Sequence, residues 1–480
     1  MKQPFPADFI WGSATASYQI EGGTKEGGRG ASIWDTFSQT PGKVAGGDTG
    51  DVACDHFHRF EDDIKLMKEL GLQAYRFSIA WSRIQPDGTG EPNAEGIAFY
   101  NSIIDCLLAH DIEPWVTLYH WDLPQALEDR VGGWLGKAIV PIFGDYARIC
   151  FEQFGDRVKN WITLNEPWCS AVLGYGLGVH APGHADADKP YVAAHHLILS
   201  HAAAVKIYRE EWGHQQGRIG ITNNCDWRMP LTDSEADKAA AQRSLVFFLG
   251  WFADPIWKGD YPAVMRERLG DRLPVFSAEE RELLLGSSDF FGLNHYTTML
   301  ASEPDPDAEV ETNIAGNGGM AEDQEVHLSN DPAWTQTQMG WNIVPEGCRE
   351  LLKWIDERYD HPEIYITENG CAVEEPDVES ALQDVVRRDF FDGYLHECRN
   401  AIEQGVDLRG YFAWSLLDNF EWSWGYERRF GIVRVDYDTL ERTPKLSAQW
   451  YAAAIASNGA SIGGVGHPSA ESREQAAESR

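Results

Sequence analysis

Eight short runs of β-forming, largely apolar residues are spaced along the chain, at 9–15, 74–81, 113–120, 160–166, 218–223, 289–296, 363–369 and 408–416. Inside them the apolar positions are nearly continuous, as in Ile364-Tyr365-Ile366 and Trp115-Val116-Thr117-Leu118. Continuous rather than alternating apolar residues predict strands covered on both faces, as in a parallel sheet. Between the runs the period becomes helical. Over 57–70, Phe60, Ile64, Met67 and Leu70 share one face and Gly71 supplies the stop; over 384–404, Val386, Phe390, Tyr394, Cys398 and Ile402 recur every four residues up to Gly405. Strand then helix, eight times over, predicts an α/β fold, a (β/α)8 TIM barrel.

Length alone would allow about three domains, but no Gly/Ser/Pro linker divides the 480 residues. The expectation is therefore one barrel over 1–456, with long loops at the C-terminal face of the strands. The polar segment 301–340 follows the sixth run and is expected to be a wall or lid over the mouth. From 457 to 480 the chain is mostly Gly, Ser, Glu and Ala, which predicts a disordered tail.

Charge narrows the partners. Asp and Glu total 75 against 40 Lys and Arg, a formal net charge of −35. Such a chain has no basic face for phosphates, so nucleic acid is excluded as a partner and an anionic membrane surface is disfavoured. No run of about 18 apolar residues exists to span a bilayer, and the opening MKQPFPADFIWGS lacks the apolar core of a signal peptide. None of the eight cysteines forms a Cys-x-x-Cys pair, and several fall in apolar runs. They read as buried thiols of a cytoplasmic protein. The unusual number is aromatic: 19 Trp, 17 Tyr and 21 Phe.

In such a barrel the chemistry lies where strands end. The third run ends Tyr119-His120-Trp121-Asp122, the fourth Asn165-Glu166-Pro167-Trp168, the sixth Asn294-His295-Tyr296 and the seventh Thr367-Glu368-Asn369-Gly370. The eighth is followed by Asp418-Asn419-Phe420-Glu421-Trp422. Two glutamates, Glu166 and Glu368, thus cap apolar strands three positions apart around the ring. Carboxylates facing each other across a barrel mouth suit attack at an anomeric carbon, one as acid and the other as nucleophile or base.

These strings resemble the signatures of the family 1 glycoside hydrolases, the β-glucosidase family. Thr163-Leu164-Asn165-Glu166-Pro167 and Ile366-Thr367-Glu368-Asn369-Gly370 carry the resemblance most strongly. It extends from Phe5-Pro6-Ala7-Asp8-Phe9-Ile10-Trp11-Gly12, through Tyr75-Arg76-Phe77-Ser78, to Trp414-Ser415-Leu416-Leu417-Asp418-Asn419-Phe420-Glu421-Trp422. The resemblance implies a retaining β-glycosidase, foremost a β-glucosidase acting on cellobiose, short oligosaccharides and aryl or alkyl glucosides. Glu166 would be the acid/base and Glu368 the nucleophile, held about 5–5.5 Å apart as in retaining enzymes. Arg76 and Tyr296 would position the nucleophile. Gln19, His120, Trp121, Asn165, Asn294, Tyr296, Trp414, Glu421 and Trp422 would bind the sugar, and Trp168 and Trp341 would flank the leaving group.

No metal or other cofactor is called for, since two carboxylates and the sugar's own oxygen supply the chemistry. Glu421 would repel a phosphate, which disfavours 6-phosphoglycosides. A non-catalytic sugar-binding barrel and a transglycosylase using the same intermediate are the rival readings; the first would be expected to have lost one of the two glutamates. His56-x-His58 opens a helix rather than closing the first strand, so it is not read as a metal pair. His180 is expected on a loop near the mouth, and Cys169, beside Trp168, is read as packing. The relative preference for glucosides, galactosides and fucosides is left open, as is the oligomeric state.

Overall fold

The computed structural model describes residues 4–304 and 319–463. Eight parallel strands close into a barrel: β1 (Ile10–Ala14), β2 (Ala74–Ser78), β3 (Glu113–Tyr119), β4 (Asn160–Asn165), β5 (Arg218–Asn224), β6 (Phe291–Asn294), β7 (Ile364–Asn369) and β8 (Leu408–Trp414). Neighbours pair in sequence order, and β1 closes the ring between β8 and β2. Each apolar run of the sequence has become one barrel strand, trimmed at one or both ends except the fifth, which runs one residue further to Asn224; 289–296 keeps only Phe291–Asn294.

Long helices return the chain across the outside, among them His56–Glu69, Ala94–Ala109, Ile139–Phe154, Lys189–Ile207, Pro345–Arg358, Val385–Glu403 and Leu446–Ala456. Gly71 and Gly405 stand just past two of these helices at φ +76° and +103°, conformations that side chains with a Cβ resist. No helix among the described residues is long and apolar enough to cross a membrane.

The barrel interior is filled by aromatics. Trp115 of β3 is fully buried, and its ring centroid lies 4.8 Å from Tyr365, 5.2 Å from Phe412 and 5.5 Å from Phe290. These rings, with Ile162 and Ala74, form a solid plug below the mouth. Trp115→Ala is expected to destabilise the protein by about 3–5 kcal/mol, because the ring's contacts are lost and a rigid barrel cannot collapse into the void. Chemical denaturation checks this; a loss under about 1 kcal/mol would mean that the plug can repack.

Two expectations change. The segment 301–340 is not one long loop: Thr298–Ser302 pairs with Trp227–Pro230 and with His327–Ser329 in a small three-stranded sheet, and Met320–Asp323 is helical. Residues 305–318 lie outside the described residues. The structure also continues past 456. Asn458 donates to the Phe5 carbonyl at 2.7 Å and accepts from the Trp11 indole at 3.0 Å, and Ile462 is fully buried. Chain expected to be disordered from 457 is thus packed through 463, because its first residues bridge the barrel's N-terminal end; 464–480 lie outside the described residues.

Candidate active site

Irregularities of the sheet coincide with the two glutamates. The β4–β5 register slips between Ile162 and Asn165, and the β6–β7 register between Ile366 and Glu368. Such slips re-aim the side chains that follow. Glu166 itself has φ +45°, and Trp121 and Trp422 sit at +75° and +52°. Left-handed backbone at residues other than glycine costs of order 1–3 kcal/mol each and gathers where function constrains the chain.

Glu368, at the end of β7, is 3% exposed. Its Oε1 accepts from Arg76 Nη1 at 2.5 Å and its Oε2 from the Tyr296 hydroxyl at 2.7 Å. Burial raises its pKa, and the Arg76 charge and the Tyr296 hydrogen bond oppose that rise. Arg76 is itself fully buried and spans the site. It also donates to Asn165 Oδ1 at 2.5 Å, to the Thr367 carbonyl at 3.2 Å and to Thr117 Oγ1 at 3.3 Å.

Glu166 lies 5% exposed, one residue past β4. Its Oε1 accepts from Asn294 Nδ2 at 2.8 Å, and Cys169 Sγ stands 3.2 Å from its Oε2. Among the described residues no cation is bonded to it. Burial, then the charge of Glu368, push its pKa up to about 8. Both shifts are upward, but Arg76 and Tyr296 oppose the rise at Glu368. Glu166 retains its proton through neutrality and loses it as pH rises past about 8, whereas Glu368, paired with a guanidinium, ionises first.

Around the pair lies a cup of hydrogen-bonding groups and rings. Asn165 Nδ2 donates to His120 Nε2 at 3.0 Å, so His120 carries its proton on Nδ1, a buried atom with no protein partner. Burial, then Arg76, hold His120 well below its ordinary pKa and keep it neutral. Gln19 Nε2 donates to Asn419 Oδ1 at 3.0 Å and to the Phe420 carbonyl at 2.9 Å, and approaches Glu421 Oε2 at 3.4 Å; Gln19 Oε1 has no protein partner. Burial, then Glu368 and Glu166, push Glu421 up to about 8. The His120 ring lies 5.9 Å from both Trp414 and Trp422 and nearly parallel to each.

Two residues expected to bind sugar have other employment. The Trp121 indole N–H donates to the Asn165 carbonyl at 2.9 Å, so Trp121 offers the cup its ring and not a hydrogen bond. Asn294 donates to both Glu166 and Asn165 and accepts from Thr367 Oγ1 at 2.7 Å. It orients the glutamate instead of facing solvent. Trp168 stacks on Phe248 at 4.3 Å and donates to Met320 Sδ at 3.1 Å, and Trp341 packs against Tyr296 at 5.2 Å. Met320 brings the segment 301–340 into contact with Trp168.

Several neighbours are not apparent from the sequence. Cys169 touches Glu166 and is more than packing; its i+3 spacing from that glutamate was the available signal. Asn224 donates to Cys169 Sγ at 3.5 Å, and the buried side-chain oxygens of Asn223 and Asn224 have no protein partners. Phe248 comes from the distant helical turn Val246–Gly250. His180 packs on Trp34 and Trp121, at 5.3 and 5.4 Å, where burial pushes its pKa down to about 3. His56 bonds to Asp63 at 2.7 Å, and Arg442 secures the same carboxylate, a scaffold contact. Among the described residues no three His, Cys, Asp or Glu side chains gather as a metal-holding group.

Two buried carboxylates of unequal proton affinity, in an aromatic cup at the C-terminal mouth of a parallel barrel, define a glycoside hydrolase. Comparison sharpens this class to a family. Residues 1–460 match glycosyl hydrolase family 1, and the chain belongs to that family. It is 50% identical to β-glucosidase 42 of Arabidopsis thaliana over 460 residues, covering 93% of each chain. It is 49% identical to β-glucosidase 1B of Phanerodontia chrysosporium over 473 residues, covering 94% of this chain and 86% of that one. Among solved structures, the rice β-glucosidase Os3BGlu6 superposes with a TM-score of 0.90 at 47% identity, covering 94% of this chain and 98% of the other. A family 1 β-glucosidase of Thermotoga maritima gives 0.88 at 46% identity, covering 95% and 98%. The protein is a retaining O-glycosyl hydrolase of the β-glucosidase type that acts on carbohydrate.

Proposed function

We propose that the enzyme removes terminal non-reducing β-D-glucosyl residues from cellobiose, short oligosaccharides and aryl or alkyl glucosides, with Glu368 as nucleophile and Glu166 as acid/base. The observation that carries the assignment is the asymmetry of the pair: Arg76 and Tyr296 hold Glu368, and among the described residues no cation is bonded to Glu166. Glu368 attacks the anomeric carbon while the Glu166 proton passes to the departing oxygen. The resulting glycosyl-enzyme is hydrolysed when Glu166, now ionised, takes a proton from water. The second Asn165 amide hydrogen is available to the sugar 2-hydroxyl, a contact that strengthens in the transition state.

His120 Nδ1, Gln19 Oε1 and Glu421 supply a donor, an acceptor and a third carboxyl for the remaining hydroxyls, with Trp414 and Trp422 as apolar walls. Trp168 and Trp341 would receive the leaving group. The covalent glucose complex described for the rice relative supports glucose as the sugar. Eight free thiols, seven of them buried, support a reducing, cytoplasmic setting, in which cellobiose from cellulose breakdown is a suitable substrate.

The test is a panel of p-nitrophenyl β-glycosides plus cellobiose, compared by kcat/KM. The β-glucoside is expected to lead, with cellobiose cleaved. A β-galactoside or β-fucoside cleaved more than about tenfold faster, a difference of about 1.4 kcal/mol in transition-state binding, overturns the glucose assignment.

A further inference from the structure

We propose that the Cys169 thiol is a positioning residue for Glu166, accepting a hydrogen bond from the protonated carboxyl and donating one to the ionised carboxylate. The inference rests on Glu166 being the acid/base. The backbone creates the contact: the Cys169 N–H donates to the Glu166 carbonyl at 2.9 Å across Pro167 and Trp168, a turn that brings the thiol back over the carboxyl it follows. Sγ then stands 3.2 Å from Oε2, within the reach of a hydrogen bond to sulfur.

The two carboxyl oxygens have different partners. Oε1 faces Asn294 Nδ2, which can only donate, so a proton on Glu166 belongs on Oε2. Among the described residues the thiol is the one protein group bonded to Oε2, and a thiol can both donate and accept. Asn224 Nδ2 donates to Sγ at 3.5 Å, which leaves the S–H to turn toward Glu166. Burial, reinforced by Glu166, holds the thiol well above its ordinary pKa, so it stays neutral. The other charged or titratable groups acting on Glu166 and Cys169 are Glu368, Arg76, Tyr296, Glu421 and Asp226. None of them is bonded to Oε2.

The acid/base changes protonation state twice in each turnover. A fixed donor at Oε2 would stabilise only the ionised form, and a fixed acceptor only the protonated one. A thiol serves both, weakly enough to trap neither. Proton balance is unaffected: the proton moves between Glu166, the leaving oxygen and water, and the thiol keeps its own.

Cys169→Ala removes both bonds, and the ionised form loses the more, because a hydrogen bond donated to a carboxylate is charge-assisted and the one accepted from a neutral carboxyl is not. The basic limb of the kcat/KM profile is then expected to move up by roughly 0.5 pH unit, as loss of one weak hydrogen bond predicts. Cys169→Ser, which again donates and accepts, is expected to restore most of that shift. A limb position does not depend on the fraction of enzyme folded, so a merely structural role would leave it in place. A profile for Cys169→Ala that superimposes on the wild type overturns the proposal.

A second measurement needs no variant. Trapping wild-type enzyme with a 2-deoxy-2-fluoro-glucoside, which leaves Glu166 ionised, is expected to lower one S–H stretching frequency in the infrared difference spectrum; an unmoved band counts against the thiol. The underlying assignment is tested separately, by azide rescue of Glu166→Ala. Rescue together with unmoved Cys169 profiles rejects the thiol's role alone, and absence of rescue rejects the acid/base reading itself.

Discussion

Glu368→Gly is expected to reduce kcat by roughly 10⁴–10⁶-fold, the scale on which loss of a covalent nucleophile is felt. The remaining site should be intact, because Arg76 keeps its bonds to Asn165, Thr117 and the Thr367 carbonyl. The vacated space beside Arg76 suits a small anion. Azide should enter it and attack the sugar from the nucleophile's side, yielding the α-glycosyl azide in place of the β-configured product. Product configuration by NMR is the measurement. Near-normal turnover, or a β-azide, would remove Glu368 from the nucleophile's role.

Glu166→Ala should behave differently according to the leaving group. For cellobiose, whose departing alkoxide needs a proton, a loss of about 10²–10⁴-fold is expected from the missing general acid. For a dinitrophenyl glucoside, whose phenolate leaves unaided, the first step should survive. The glycosyl-enzyme should then accumulate, visible as a burst, because no base activates water. The basic limb assigned to the group near 8 should vanish for that substrate. Azide should accelerate turnover and give the β-azide, the opposite configuration from Glu368→Gly. Equal losses for both leaving groups would sink the acid/base assignment.

The barrel and its pair of glutamates were legible because each leaves a local mark. Continuous apolar runs identify doubly covered strands, and Glu166 and Glu368 are polar residues where such runs stop. Arg76 and Tyr296 were placed through resemblance, and the structure puts both on Glu368. What escaped depends on neighbours remote in sequence. Phe248 lies under Trp168 because a helical turn between β5 and β6 reaches the rim, and no spacing connects the two residues. The strands Thr298–Ser302 and His327–Ser329 are too short for a period of two to stand out in a polar segment. Asn294 read as a sugar ligand because its strand-end position was visible; that Glu166, Asn165 and Thr367 use up its amide was not. Asn458 bridges to Phe5 and Trp11 from a stretch whose composition is that of a tail, and composition carries no information about a partner some 450 residues away.

The aromatic plug around Trp115 also governs traffic. On the proposed reading, the ring cluster beneath the mouth closes the barrel floor to a sugar, so a substrate would enter end first and present its terminal unit to the carboxylates. An interior unit of a long polymer would then have no way past the floor. On the same reading departure would be ordered too: the aglycone would leave first, and the sugar would follow once water had freed it from Glu368. Released sugar and incoming substrate then share one passage, so each must compete with the other for entry.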